Sequence, residues 1–230
     1  MKDEVEEIEE TLNRLLKDDK NGHSAINFLY DKIKKLSSKD KVKNESLAKL
    51  HNLMGTIFFK RGELTEAINS FENAYIKDPD NVTYLHNIIK CYLTKGQDFY
   101  QEARIYAEKA LEKHPHDYSA SMVLAVTHFL DGNYRSANRY LKDAIQNNKD
   151  KAPISIKFMP IYNEMMKRSG NLSTVDKSRI LSDGISLYSS VFNVLEKNKI
   201  KMPNIKDSSV LNILYSALQS ELKKTKGFER

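Results

Sequence analysis

In 230 residues the sequence has one cysteine, no tryptophan, five prolines and eight glycines. The lone Cys91 can neither close an internal disulfide nor build a multi-thiolate metal site, which fits a reducing compartment. With so few helix breakers, and with Lys, Glu, Leu, Ile, Ala, Ser and Asn filling long periodic windows, the expectation is an all-α chain. No stretch approaches the roughly 18 apolar residues of a membrane span. Residues 1–10 also lack the apolar centre of a secretory signal, so a soluble, cytoplasmic protein is expected. No Gly-rich phosphate loop, paired-cysteine spacing or His-Glu-x-x-His helix occurs. A catalytic reading therefore has no foothold, and no cofactor, catalytic residue or metal site is expected.

What is present is charge of both signs, unevenly placed. The net charge is +6. Residues 1–20 hold four basic and eight acidic side chains, whereas residues 197–230 hold eight basic and three acidic ones. Opposed ends of this kind suit an acidic partner, nucleic acid or head-to-tail self-association, although lysines that solvate long helices give the same pattern. The basic tail has only Phe228 nearby as a stacking partner, so specific nucleic-acid binding is not expected.

Apolar residues at helical spacing set out the elements. Val5, Ile8, Leu12, Leu15 and Leu16 form a stripe over residues 3–18. A second helix opens at Ser24 after the Asn21-Gly22 break and runs to about Leu36. Three clear copies of a helical hairpin follow, at 48–81, 82–117 and 118–151, a spacing of 34 to 36 residues. Gly62, Gly96, Gly132 and Gly170 each stand where a helix must end in a left-handed conformation, and Pro79 and Pro115 break the chain after the second helix. The second copy carries two extra residues between Gly96 and Ala103, within 97–102, so its turn should be longer. Further helices are expected at 154–168, 174–197 and 207–226, with a loop at 198–206. A hairpin of about 34 residues cannot bury its own apolar face, so copies must stack. The domain reading is a degenerate N-terminal hairpin over 1–44 acting as a cap, three repeats over 45–151, and C-terminal helices over 152–230 forming a degenerate repeat and cap.

In the first copy His51, Met54, Gly55, Phe58, Ala67, Phe71, Ala74 and Pro79 fall in the order Trp, Leu, Gly, Tyr, Ala, Phe, Ala, Pro, and the chain thereby resembles the tetratricopeptide repeat family. His51 in place of tryptophan is the main departure. The second copy supplies Leu85, Ile88, Ile89, Tyr92, Ala103, Ala107, Ala110 and Pro115, and the third supplies Ser121, Leu124, Ala125, His128, Ala137, Leu141, Ala144 and Lys149. The resemblance implies a right-handed α-α superhelix of antiparallel helix pairs. Close packing explains the pattern: Gly55 and Ala67 let two helices approach, and Phe58 and Phe71 fill the space beside them.

The resemblance further implies that the residues left over on the first helix of each pair line a concave groove for an extended peptide or partner helix. In the first copy these are Lys49, Asn52, Thr56, Phe59 and Lys60. In the second they are His86, Asn87 and Lys90, flanked by Thr83 and Leu93. In the third they are Met122, Val126 and Phe129, with Ser119 and Val123. The family's chaperone adaptors grip a C-terminal carboxylate with Lys and Asn, then Asn, then Lys and Arg. Asn87 matches the middle position, but Thr56 replaces the first Asn, and Ser119 and Val123 stand where the cations belong, so that clamp is not supported. The groove instead grades from lysines to apolar residues.

His51 and His128 sit at packing positions, Cys91 reads as a small core residue, and His114 and His116 flank Pro115 in a surface turn. His86 is the histidine placed to serve a groove. The function expected is a non-catalytic protein-interaction adaptor or scaffold. The alternative is a structural subunit of a larger assembly that docks or self-associates through its acidic first hairpin and basic tail.

Overall fold

The computed structural model describes residues 4–18, 22–38, 44–147 and, near the C-terminus, 213, 214, 216 and 217. Every regular element among the described residues is helical. Contacts group the chain into two compact units, Met1–Phe99 and Tyr100–Arg230. The boundary falls inside the second repeat, in the stretch that carries the two extra residues.

The first unit holds α1 (Glu4–Asp18), α2 (His23–Ser37), α3 (Asn44–Arg61), α4 (Leu64–Lys77) and α5 (Val82–Lys95), followed by a 3-10 turn over Gln97–Phe99. Of the stripe expected on α1, Ile8 and Leu12 are buried at 2% and 3% exposed, and Leu15 and Leu16 are half-buried. Ala25, Ile26 and Leu29 on α2 are buried with them, while Glu9, Glu10, Asn13 and Arg14 face water. Leu50, Leu85, Ile88 and Ile89 supply the fully buried aliphatic mass of α3 and α5, each side chain stabilising the fold by about 1.5–3 kcal/mol. Ala48, Ala74 and Tyr84 form a small cluster that ties α3, α4 and α5 together, with Tyr75 packed on it. Burial, more than the nearby Asp78 carboxylate, pushes the Tyr84 phenol above its ordinary value.

Close packing of α3 on α4 depends on one atom being absent. A Cβ on Gly55 would stand 2.7 Å from Cε1 of Phe71, and the Phe71 ring is itself 3% exposed. The α3 to α4 turn closes as a Schellman motif, with Gly62 N–H donating to Phe59 O and Glu63 N–H to Phe58 O, both at 3.0 Å. Gly62 takes φ 79° to do so, a left-handed value that glycine adopts without the Cβ penalty. Arg61 then holds the turn through Nε to Glu63 at 2.7 Å.

The second unit holds α6 (Tyr100–Lys113), α7 (Tyr118–Leu130) and α8 (Tyr134–Asn147). The α7 to α8 turn repeats the Schellman geometry, Gly132 N–H to Phe129 O at 2.9 Å and Asn133 N–H to His128 O at 2.8 Å. The turn after α5 does not. Gly96 has φ 111° and ψ −172°, outside the left-handed helical well, and the extra residues coil into the 3-10 turn, with Phe99 N–H bonded to Gly96 O at 3.1 Å. The longer turn expected from the sequence is thus compact, and Lys95 Nζ covers the Phe99 ring at 4.3 Å. Helix starts are capped where Asn and Asp allow it: Asn81 accepts from Thr83 N–H at 3.2 Å, and Asp117 from Ala120 N–H at 2.7 Å.

The helices expected at 154–168, 174–197 and 207–226, the Gly170 turn, the 198–206 loop and the lysine-rich tail lie outside the described residues, apart from the helical positions 213, 214, 216 and 217. Leu214 is fully buried.

Candidate functional site

Two helices of the first unit bring most of the expected groove residues together. On α3 successive residues turn by about 100°, so Lys49, Asn52, Thr56, Phe59 and Lys60 share one side, away from the core residues Met54, Gly55 and Phe58. On α5 His86, Asn87 and Lys90 take the matching place. Asn87 Nδ2 donates to Asn52 Oδ1 at 2.8 Å, a bond between residues one repeat apart. A turn further along, Lys90 Nζ stands 4.1 Å from the centroid of Phe59, an attraction of about 0.5–1 kcal/mol at an exposed site. Thr56 turns its hydroxyl back to Asn52 O at 2.9 Å, which removes that donor from a ligand. Lys49 is paired with Glu45 at 2.8 Å in an exposed i,i+4 bridge. Lys60 is exposed, and Asn52, Thr56, Phe59, His86, Asn87 and Lys90 are half-buried.

The third copy differs from expectation. Met122, Val126 and Phe129 are 0%, 5% and 2% exposed, and Val123 is fully buried. These side chains belong to the core, not to an open surface. The reason is visible in α7: ten of its thirteen residues are buried, and it carries no Asp, Glu, Lys or Arg. A helix that is apolar all round is covered all round. Leu93 on α5, a flanking position in the second copy, is buried as well, at 2%.

The histidines divide as the packing positions imply. His51 is held below the ordinary imidazole value by burial first and by the field of Lys77 second. His128 is lowered by burial and then by Arg104, and its ring stacks on Tyr140 with centroids 5.7 Å apart. His114 and His116 are exposed in their turn. Burial drives the Cys91 thiol up to about 12, so it is a core residue without thiolate character at neutral pH. Among the described residues no cluster of three or more His, Cys, Asp or Glu could hold a metal ion, and no helix is long and apolar enough to cross a membrane.

One feature was not singled out from the sequence. A cleft of about 200 Å³ opens between α2, α3 and α4, lined by Tyr30, Ile33, His51, Met54, Phe58 and the α4 residues Glu66, Asn69, Ser70 and Asn73. The signal for it was already in the repeat pattern, where His51 stands in the place of a larger tryptophan.

Comparison with known proteins bears on the fold. A family model described as anaphase-promoting complex, cyclosome, subunit 3 matches residues 96–154, less than half of the chain. No curated protein sequence matches. Among solved structures, a tetratricopeptide repeat protein from Parabacteroides merdae aligns at TM-score 0.55 and 17% identity, over 96% of this chain and 88% of that one. The fold is that of tetratricopeptide repeat proteins. Other chains that superpose on this tetratricopeptide fold are MamA from Desulfovibrio magneticus, at TM-score 0.57 and 16% identity over 87% of this chain and 99% of that one, and BtubC from P. vanneervenii, at 0.60 and 13% over 87% and 83%.

Proposed function

We propose that the protein is a non-catalytic adaptor that binds a peptide segment or partner helix on the shared side of α3 and α5. The observation that carries this reading is the joining of the first helices of two successive copies by the Asn52 to Asn87 hydrogen bond and the Lys90 to Phe59 contact. Those contacts hold polar and aromatic groups half-exposed on one face, while the apolar residues of the repeat pattern are spent on packing. Tetratricopeptide folds serve as protein-interaction modules, and a face built from two parallel-running helices suits an extended or helical segment. Asn52, Phe59, Lys60, His86, Asn87 and Lys90 are the residues assigned to contact it, with Lys49 and Thr56 at the margin because each already has a partner on its own helix. Met122, Val126 and Phe129 are left out of the contact surface because they are buried.

The test is site-directed photo-crosslinking in the source cell. A photo-reactive residue in place of Lys60 should capture a discrete partner, and one in place of Ile76, which is 69% exposed on α4, should not. Combining the Lys60 probe with Asn52→Ala, Asn87→Ala and Lys90→Ala should abolish capture with an unchanged helical melt. Equal capture from Lys60 and Ile76, or capture that survives the triple change, would overturn the assignment.

The alternative reading, a structural subunit of a larger assembly, draws support from the family matched over residues 96–154, which is named as a subunit of a complex. In that case the native protein should elute in a large complex of fixed composition, whereas an adaptor exchanges.

A further inference from the structure

The cleft between α2, α3 and α4 lies on the other side of α3 from the proposed groove. His51, Met54 and Phe58 form its floor, whereas Asn52, Thr56 and Phe59 face away from it. Met54 and Phe58 are buried, at 4% and 7% exposed, and give the floor an apolar surface. The rim is different in kind. Tyr30 is a large aromatic left 53% exposed, and Glu66, Asn69 and Asn73 line the α4 side, all three exposed to solvent. His51 Nδ1 is buried and has no hydrogen-bond partner among the described residues.

Glu66 is the only Asp, Glu, Lys or Arg among the lining residues. The cleft therefore offers a carboxylate, two side-chain amide oxygens, a buried ring nitrogen and an aromatic face, above a floor that matches a hydrocarbon stem. A guest must be long, apolar along its shaft and rich in donors at its tip, with positive charge to complement Glu66. We propose that this cleft receives one arginine side chain from a basic segment of a partner protein, its guanidinium forked against Glu66 and lying over Tyr30. Arginine fits better than lysine because its planar group stacks on an aromatic ring while its several N–H groups reach acceptors at different heights. Burial keeps the His51 ring neutral, so one ring nitrogen remains an acceptor. Lys77, whose field reaches His51, opposes a guest cation but is not among the lining residues, and Glu66 offsets it.

The proposal is independent of the adaptor groove and has its own test. The probe is an acetylated, amidated pentapeptide of glycines with one central arginine, titrated into the full chain with methyl-labelled methionine, and the Met54 signal is assigned with Met54→Leu. The arginine peptide should shift the Met54 methyl saturably, the lysine peptide should bind more weakly, and Glu66→Gln should weaken arginine binding about threefold to fivefold. His51→Trp, which restores the bulk of the repeat pattern, should block binding while circular dichroism stays unchanged. Asn87→Ala should leave the titration as it is. The idea fails if no saturable shift is seen, if a tryptophan or leucine peptide binds more tightly than arginine, or if Glu66→Gln or His51→Trp binds arginine as the parent does.

Discussion

At the scale of single residues, the close approach of Gly55 to Phe71 decides more than any polar contact. Alanine at position 55 would gain about 1 kcal/mol of helix propensity, yet its Cβ would enter the space of a buried ring at 2.7 Å. Overpacking of that kind costs about 1–3 kcal/mol, so Gly55→Ala should lower the urea midpoint. Adding Phe71→Leu should recover part of the loss, a non-additivity that a double-mutant cycle reads directly. Titration gives a second expectation. His51 and His128 both sit below the ordinary imidazole value in the folded chain, so the unfolded chain binds more protons in mildly acidic solution. Their contribution is complete above about pH 6.5 and is lost as the pH falls toward the depressed folded values. Urea midpoints measured across that window should drop on acidification, and the drop should shrink in His51→Gln with His128→Gln. An identical pH profile in the double variant would assign the effect elsewhere.

At the scale of elements, the helix boundaries were legible because their chemistry is local. Gly62 and Gly132 marked the two Schellman turns, and the structure adds Asp117 as the side-chain cap of α7. Asp117→Ala should therefore cost about 1 kcal/mol, seen as a lower thermal midpoint and faster amide exchange in the first turn of α7. Gly96 keeps the positive φ expected of it, 111°, but with an extended ψ of −172°, so the chain leaves the helix into a 3-10 turn and not a Schellman turn. The burial of Met122, Val126 and Phe129 was legible too, in the uncharged run of α7. The register of the family, in which the first helix keeps an open side, points the other way. That register does set Asn52 and Asn87 on equivalent faces one period apart, and the hydrogen bond between them is what the structure adds. The cleft beside His51 was not legible as a volume, since the room left by a smaller side chain depends on how Tyr30 and the α4 residues close around it.

At the scale of the molecule, repeats hold each other up through neighbours, and the first hairpin has a definite share in this. A Cβ on Gly22 would stand 2.9 Å from Ile57, so the start of α2 at Gly22 is pressed onto α3. Deleting residues 1–38 should expose that side of α3, lower the thermal midpoint and raise light scattering at temperatures where the full chain is clear. A truncated chain as stable as the parent would show that the hairpin is an appendage. On the proposed binding face, the bond between Asn52 and Asn87 bears on which segments would be told apart. A carboxamide has the same donor and acceptor as a peptide group, so two of them linked head to tail imitate a short length of main chain laid across the helices. A strand running over them would be met by its backbone and not by its side chains, and would be accepted with many sequences. On the binding face proposed above, discrimination would then come from the far end, where a lysine held over Phe59 asks the visitor for an acid or a ring.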